Sequence, residues 1–188
     1  MTLRALGPAL LILLFWQGLC QAGLVSPALF ASPTAVGLAL AELWGRGMPP
    51  GRTLPLHIWH SLTRVLTGTG LAVALGVPLG LALGASPRFR AMVMPLVDFL
   101  RPIPPLAWIP LAILWFGLGL ASAAYLIFLG AFFPVVLATC SGVLAVDPLY
   151  VDAVRVLGGG RAAVWRKVLL PGSLPSVVTG VRVGLGIG

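Results

Sequence analysis

Three stretches of this chain carry no Asp, Glu, Lys or Arg: those between Arg4 and Glu42, between Arg64 and Arg88, and between Arg101 and Asp147. Each exceeds the roughly 20 apolar residues that a helix needs to cross the hydrocarbon layer of a bilayer. A soluble domain carries roughly 25% charged residues. Here the figure is 9%, with 59% hydrophobic residues. So few charges cannot cover a water-facing surface, and so apolar a chain cannot remain unfolded. The expected fold class is an all-α integral membrane protein, a polytopic transmembrane helix bundle. The net charge of +8 does not point to nucleic acid. The basic residues are spread between apolar spans, as they are when they hold loops on the cytoplasmic side. Cys20 and Cys140 lie inside apolar stretches and read as small core residues, not as a disulfide.

About five spans are expected. The first run holds one, residues 6–24, and the second holds one, residues 62–85. The third run holds two, divided by the turn signal Gly117-Leu118-Gly119-Leu120-Ala121-Ser122. A fifth starts near Ser173, and the 16 residues from there to Gly188 reach about 24 Å at 1.5 Å per residue. That is short of the roughly 30 Å hydrocarbon core, so the sequence reads as truncated at its C-terminal end. Arg4, the apolar run and Cys20-Gln21-Ala22 also resemble a signal peptide, but the spans that follow favour an uncleaved first helix. With the N-terminus inside, the cytoplasmic segments hold Arg4, Arg88, Arg90, Arg155, Arg161, Arg166 and Lys167. The outer side holds Arg46, Arg52 and Arg64, and the excess of basic residues inside supports that orientation. In the outer segment, residues 25–60, a short helix is expected after Ser32-Pro33. His57 and His60 stand three apart there, too few ligands for a metal site.

Two rows of small residues recur at intervals of four. Gly68, Ala72, Gly76, Gly80 and Gly84 lie in the second span, and Ser176, Gly180, Gly184 and Gly188 in the fifth. Such rows let helix backbones approach closely, whether as fixed packing or as a surface that slides during transport. Pro102, Pro104, Pro105 and Pro110 lack backbone donors and restrain their predecessors. They predict a surface helix over residues 89–100, a break, then a span over residues 106–116. Asp98 and Arg101 are spaced to pair on a helix. Arg101, Pro104 in the helix break and Arg182, the last about nine residues into the fifth span, are candidates for a pathway or gate, because ionisable groups at membrane depth are functional by default; the alternative is a structural role, with the arginines snorkelling to the interface.

Residues 147–171 are punctuated more heavily than a topological loop requires. Asp147-Pro148 starts a helix over residues 149–157. Gly158-Gly159-Gly160 closes it. A second helix, residues 161–170, stops at Pro171, and Ser173 caps the last span. Val151, Val154 and Leu157 share one face, and Trp165 and Leu169 another. A helix, a glycine turn and a helix form a docking surface for a cytoplasmic partner.

The run Asp152-Ala153-Val154-Arg155-Val156-Leu157-Gly158, nine residues, then Val168-Leu169-Leu170-Pro171 resembles the coupling motif of ABC importer permeases. That motif is Glu-Ala-Ala, three residues, Gly, nine residues, Ile-x-Leu-Pro. This chain has Asp152 for Glu, Val154 for the second Ala and Val168 for Ile. The stretches from Leu100 to Pro110 and Leu114-Trp115-Phe116-Gly117, with Gly172-Ser173-Leu174-Pro175 and Gly180-Val181-Arg182, resemble the nitrate/sulfonate/taurine branch. The resemblance covers nearly the whole chain. It implies one transmembrane permease domain over residues 1–188, about two further helices beyond it, and a coupling segment over residues 147–171. Asp152, Ala153, Arg155, Gly158, Leu170 and Pro171 would face the ATPase. It also implies the partners: a cytoplasmic ABC ATPase dimer, a second permease subunit in a homodimer, a periplasmic substrate-binding protein and membrane lipid. The cargo would be a small anion, aliphatic sulfonate or taurine first and nitrate next, carried across the bacterial inner membrane.

No catalysis or cofactor is expected of the chain itself. Its only lysine, Lys167, is followed by Val168, so there is no G-x-x-x-x-G-K-[ST] loop. A self-contained carrier or channel, and a scaffold without transport, are the alternatives. The first needs polar groups deep in its spans, where only Arg182, Asp98 and Arg101 qualify.

Overall fold

The computed structural model describes residues 3–23, 30–49 and 51–187, and for residues 3–6 and 9 the backbone alone. Leu24 at the end of the expected first span, the residues that open the outer segment and Gly188 at the end of the second small-residue row lie outside the described residues. The chain packs as two units, Met1–Trp59 and His60–Gly188. Every regular element among the described residues is helical.

The first unit holds α1 (Leu3–Gln21), α2 (Pro33–Gly45) and the start of α3 (Leu54–Ala85). In α1 the apolar stretch among the described residues is Leu10–Gln21. Ser32 caps α2 as expected, its hydroxyl accepting from the Ala35 amide at 3.2 Å, with Pro33 in the first turn. Gln17 on α1 donates to the Thr34 hydroxyl at 3.2 Å, and Trp16 meets Phe30 edge to face with centroids 6.4 Å apart.

The second unit is the bundle. After α3 come α4 (Pro87–Leu100), a 3-10 turn (Pro105–Trp108) and α5 (Ile109–Phe116). Then follow α6 (Leu120–Leu144), α7 (Pro148–Val156), α8 (Arg161–Val164), a π-helical segment (Trp165–Leu169) and α9 (Leu170–Ile187). Among the described residues, three helices are long and apolar enough to cross a membrane: α3, α6 and the continuous helix Arg161–Ile187. The pair Pro87–Leu100 and Pro105–Phe116, bent by 84°, makes a fourth if counted as one broken span.

Helix α6 is the centre. A Cβ built on Gly68 would come within 2.6 Å of the Ala124 carbonyl, one on Gly80 within 2.6 Å of the Val136 carbonyl, and one on Gly84 within 2.5 Å of Val143. The pairing advances in the same direction on both helices, so α3 and α6 are parallel. On another side of α6, a Cβ on Gly142 would meet Ser176 at 2.5 Å, one on Gly180 Ala138 at 2.7 Å, and one on Gly184 Ala131 at 3.0 Å. There the numbering runs oppositely, so α9 is antiparallel to α6. Parallel neighbours need a return between them. The 16 residues separating Gly68 from Gly84 span about 24 Å of helix, and the bent pair α4–α5 carries the chain back over that distance. Both small-residue rows are therefore packing seams, where glycine lets backbones approach closer than a side chain would allow. Leu83, Val136 and Cys140 are buried at the centre, covered by Phe89, Val93 and Phe132.

Several expectations need correction. Helix α3 begins at Leu54, eight residues before the expected Leu62. His57, His60 and Arg64 lower the apolarity of its first turns without interrupting its hydrogen bonds. Pro171 does not end a helix, and Ser173 does not cap a new one. The helix runs unbroken through Arg161–Ile187, with the π-helical turn Trp165–Leu169 ending two positions before the proline. A widened turn accommodates a residue that lacks an amide proton and crowds the carbonyl four residues earlier. The Ser173 hydroxyl instead donates to the Leu170 carbonyl at 3.1 Å inside the helix, fully packed at 1% exposure.

Candidate functional site

Two places in the bundle unit gather the residues that the sequence singled out. The first is the turn between α7 and α8. The Asp147 carboxylate accepts from the Leu149 amide at 2.8 Å, and Pro148 follows in the first turn. The helix closes at Gly158, whose φ of +80° is one that an L-residue reaches only at a cost of about 1–2 kcal/mol. The Gly158 amide donates to the Arg155 carbonyl at 3.0 Å, and the Gly159 amide to the Val154 carbonyl at 2.9 Å. Nothing lies within 4 Å of a Cβ placed on Gly158 or Gly160. The left-handed glycine expected at this closure is present.

Asp152, Ala153, Arg155, Gly158, Leu170 and Pro171 are all exposed. Asp152 and Arg155 pair at 3.4 Å with both side chains 66% exposed, so the contact is solvated and contributes little to stability. Beside it stand apolar side chains that the fold leaves uncovered: Val156 is 87% and Leu157 86% exposed, with Leu149 and Tyr150 also bare. Leu157 thus faces away from the bundle, although Val151 and Val154, its expected face-mates, are half-buried. A bare apolar helix with a charged pair on its flank is suited to a protein partner, not to chemistry.

Gly159 went unnoticed in the sequence as a distinct position. A Cβ there would lie 2.5 Å from Val154 Cγ1 and 2.7 Å from the Val154 carbonyl. The signal was in the triplet, but only the folded turn shows which glycine is fixed by backbone conformation, which by contact and which by neither.

The second place is a cavity of about 450 Å³ between the proline break, α6 and α9. Arg101, Ile103 and Pro105 line it with Phe133, Pro134 and Thr179. Arg101 caps the C-terminal end of α4, its amide donating to the Val97 carbonyl at 2.9 Å, where a cation is favoured by the helix dipole. No ion pair joins it to Asp98 among the described residues, and Asp98 is exposed on α4. The expected pairing is absent: Arg101, itself exposed, stands at the end of the helix, where it joins the cavity lining. Pro104 precedes the 3-10 turn, its carbonyl accepting from the Ala107 amide at 2.9 Å, and it is Pro105 that lines the cavity. Arg182 is exposed on α9 and does not line it. The Thr179 hydroxyl donates to the Pro175 carbonyl at 2.9 Å. The volume falls in the usual range for small-molecule sites, roughly 300–1,000 Å³, and the one charged side chain in its lining is a cation.

Comparison with known proteins places these features among relatives. Residues 72–188 match the family described as the binding-protein-dependent transport system inner membrane component. The chain is 38% identical over 184 residues to the taurine transport system permease protein TauC of Escherichia coli strain K12, covering 98% of this chain and 67% of that protein. It is 37% identical over 180 residues to the putative aliphatic sulfonates transport permease protein SsuC of Bacillus subtilis strain 168, covering 96% and 63%. It is also 37% identical over 127 residues to the bicarbonate transport system permease protein CmpB of Synechococcus elongatus, covering 68% and 46%. The chain thus spans between about half and two thirds of the length of these relatives.

Proposed function

This chain belongs to the binding-protein-dependent transport system inner membrane component family, and from that premise we propose that it is the permease subunit of an ATP-binding-cassette importer for a small anion. The observation that carries the proposal is the bare apolar surface of α7 beside a left-handed Gly158, at the end of a closely packed bundle. A carrier that worked alone would have no use for it. Residues 147–171 then form the segment that a cytoplasmic ATPase grips, with Asp152, Ala153, Arg155, Gly158, Leu170 and Pro171 on the gripped face. ATP hydrolysis belongs to that partner. A second copy of the permease completes the pathway, and a periplasmic binding protein delivers the cargo.

The mechanism is alternating access. Nucleotide-driven closure of the ATPases pulls on α7, and the tightly packed helices α3, α6 and α9 move as a body because their glycine seams leave no slack. Binding protein and ATP each act only through a difference in affinity for the two states. Arg101 in its cavity is the group that meets the anion in passage. The relatives' names span taurine, aliphatic sulfonates and bicarbonate, all small solutes that carry an anionic oxyacid group. An aliphatic sulfonate or taurine is the leading cargo, with nitrate next. The orientation is N-terminus inside, with Arg88 and Arg161 on the cytoplasmic side. The cavity that both residues line supports placing them at one end of the bundle.

The test is uptake of radiolabelled taurine, and separately of nitrate, into proteoliposomes holding the full-length permease, with its ATPase and binding protein added or omitted. Uptake of either solute that needs all three components supports the proposal. Uptake by the permease alone, driven by an ion gradient, would establish a secondary carrier instead.

A further inference from the structure

A second, larger cavity of about 1180 Å³ opens where α3, α4, α6 and the α7–α8 segment meet. Its charged lining consists of Arg88, Arg155, Arg161 and Asp152. Asp152 pairs with Arg155, which leaves Arg88 and Arg161 with no ion-pair partner among the described residues. Both stand in the first turn of a helix, Arg88 in α4 behind the Ser86 cap and Arg161 at the start of the helix that continues to Ile187. The positive ends of two helix dipoles therefore add to the two guanidinium charges.

The rest of the wall is apolar. Leu144, Val146, Val164, Trp165 and Leu169 line it. The cavity lies at the C-terminal ends of α3 and α6, and the end of a membrane-crossing helix is where a bilayer changes from acyl chain to headgroup and where tryptophan is enriched. A free inorganic oxyanion would use the arginines and leave the apolar wall wet. A ligand that satisfies both halves carries an oxyanion on a hydrocarbon tail.

We propose that this cavity binds an anionic phospholipid, its headgroup phosphate held by Arg88 and Arg161 and an acyl chain laid along the Leu144–Val164 side. Basic pockets between membrane helices are a recognised means of selecting anionic headgroups. The inference rests on the coupling reading in one respect: the segment that walls the cavity is the one assigned to the ATPase. A bound lipid ties that segment to the start of α4 and limits how far it can move against the bundle.

The experiment uses the full-length permease–ATPase complex, purified in detergent and analysed by native mass spectrometry after exposure to phosphatidylglycerol or phosphatidylcholine. The wild-type complex is expected to retain phosphatidylglycerol in preference to phosphatidylcholine. Each basic residue near a membrane surface contributes roughly fivefold in affinity for anionic lipid, so Arg88→Gln with Arg161→Gln should lower retention about 25-fold. Arg88→Lys with Arg161→Lys, which keeps the charge and the topology signal, should retain most of it. Equal retention of the two lipids by the wild-type complex would overturn the proposal, and that arm needs no variant to fold. So would undiminished phosphatidylglycerol retention in the glutamine variant, or complete displacement of the lipid by millimolar inorganic phosphate, which would mark a free-anion site. ATPase stoichiometry in the same spectra reads the docking assignment separately, because Arg155 is left untouched.

Discussion

Glycine is used in two opposite ways in this molecule. At the seams of α3, α6 and α9 the glycines that face a neighbouring helix have helical geometry and no room: a Cβ on Gly80 or Gly142 would lie 2.5–2.6 Å from atoms of the facing helix. In the α7–α8 turn, Gly158 has ample room, with nothing within 4 Å of its Cβ, and an unusual backbone, at φ +80°. The first use sets how closely helices pack. The second sets the direction of the chain and keeps the surface bare. Residue type alone cannot separate them, and substitution can, because a side chain offends each seam sterically and position 158 only conformationally.

The largest expected effect is in the seam. Gly80→Val must push α3 off the Val136 carbonyl and Thr139. Overpacking usually costs about 1–3 kcal/mol, and here backbone is in the way. Folded permease, measured as the monodisperse fraction after detergent extraction, should fall severely. Gly70→Val, on the same helix with nothing within 4 Å, should stay near wild type. Equal yields for the two would mean that α3 and α6 are not packed along this seam.

Next is Gly158→Val. The strain of about 1–2 kcal/mol falls outside the spans, so abundance should hold. ATPase recovered on affinity-purified permease should drop severalfold, and uptake with it. Gly159→Ala should act more weakly, through the turn's own geometry: its methyl group meets the Val154 carbonyl, loosening the end of α7 and lowering ATPase recovery. Gly160→Ala, in open space, should be close to neutral. Should Gly160→Ala cost as much as Gly158→Val, the turn would be governed by partner contact alone and not by backbone conformation.

Much of this contrast was legible beforehand, because it depends on local chemistry. Caps at Ser32 and Asp147, the glycine closure at Gly158 and the break at Pro102–Pro105 each follow from which backbone donors and conformations a residue permits. The four-residue rows on α3 and α9 were legible as seams. Their partner was not, because the facing positions on α6 (Ala124, Val136, Ala138, Val143) follow no sparse pattern; a helix apolar on every side does not announce which side meets which neighbour. The parallel pairing of α3 with α6 was hidden for the same reason. Pro171 misled because a proline normally ends a helix, and only the structure shows the π-helical turn that absorbs it. Arg101 and Arg182 looked equivalent in the sequence, and only the packing of the proline break against α6 and α9 brings one of them into a cavity.

That last distinction carries the smallest predicted effect. Arg101→Gln should raise the KM for anion uptake severalfold while leaving ATPase recovery unchanged, whereas Arg182→Gln should change KM by less than about twofold, as expected of an arginine that lies outside the cavity lining and can snorkel. Reversed sensitivities would move the pathway from the α6–α9 cavity to the exposed face of α9.

The claim that the α7–α8 turn is where the ATPase takes hold is tested most directly by proximity. Leu157→Cys places a thiol on a side chain that is 86% exposed. A short homobifunctional crosslinker should join it to single cysteines around the docking groove of the co-expressed ATPase, with the yield changing when ATP and a hydrolysis block are added. Leu118→Cys, equally bare at 87% exposure but in the turn at the opposite end of α6, should give no such product. Crosslinking from position 118, or none from position 157 in a complex that still transports, would contradict the account.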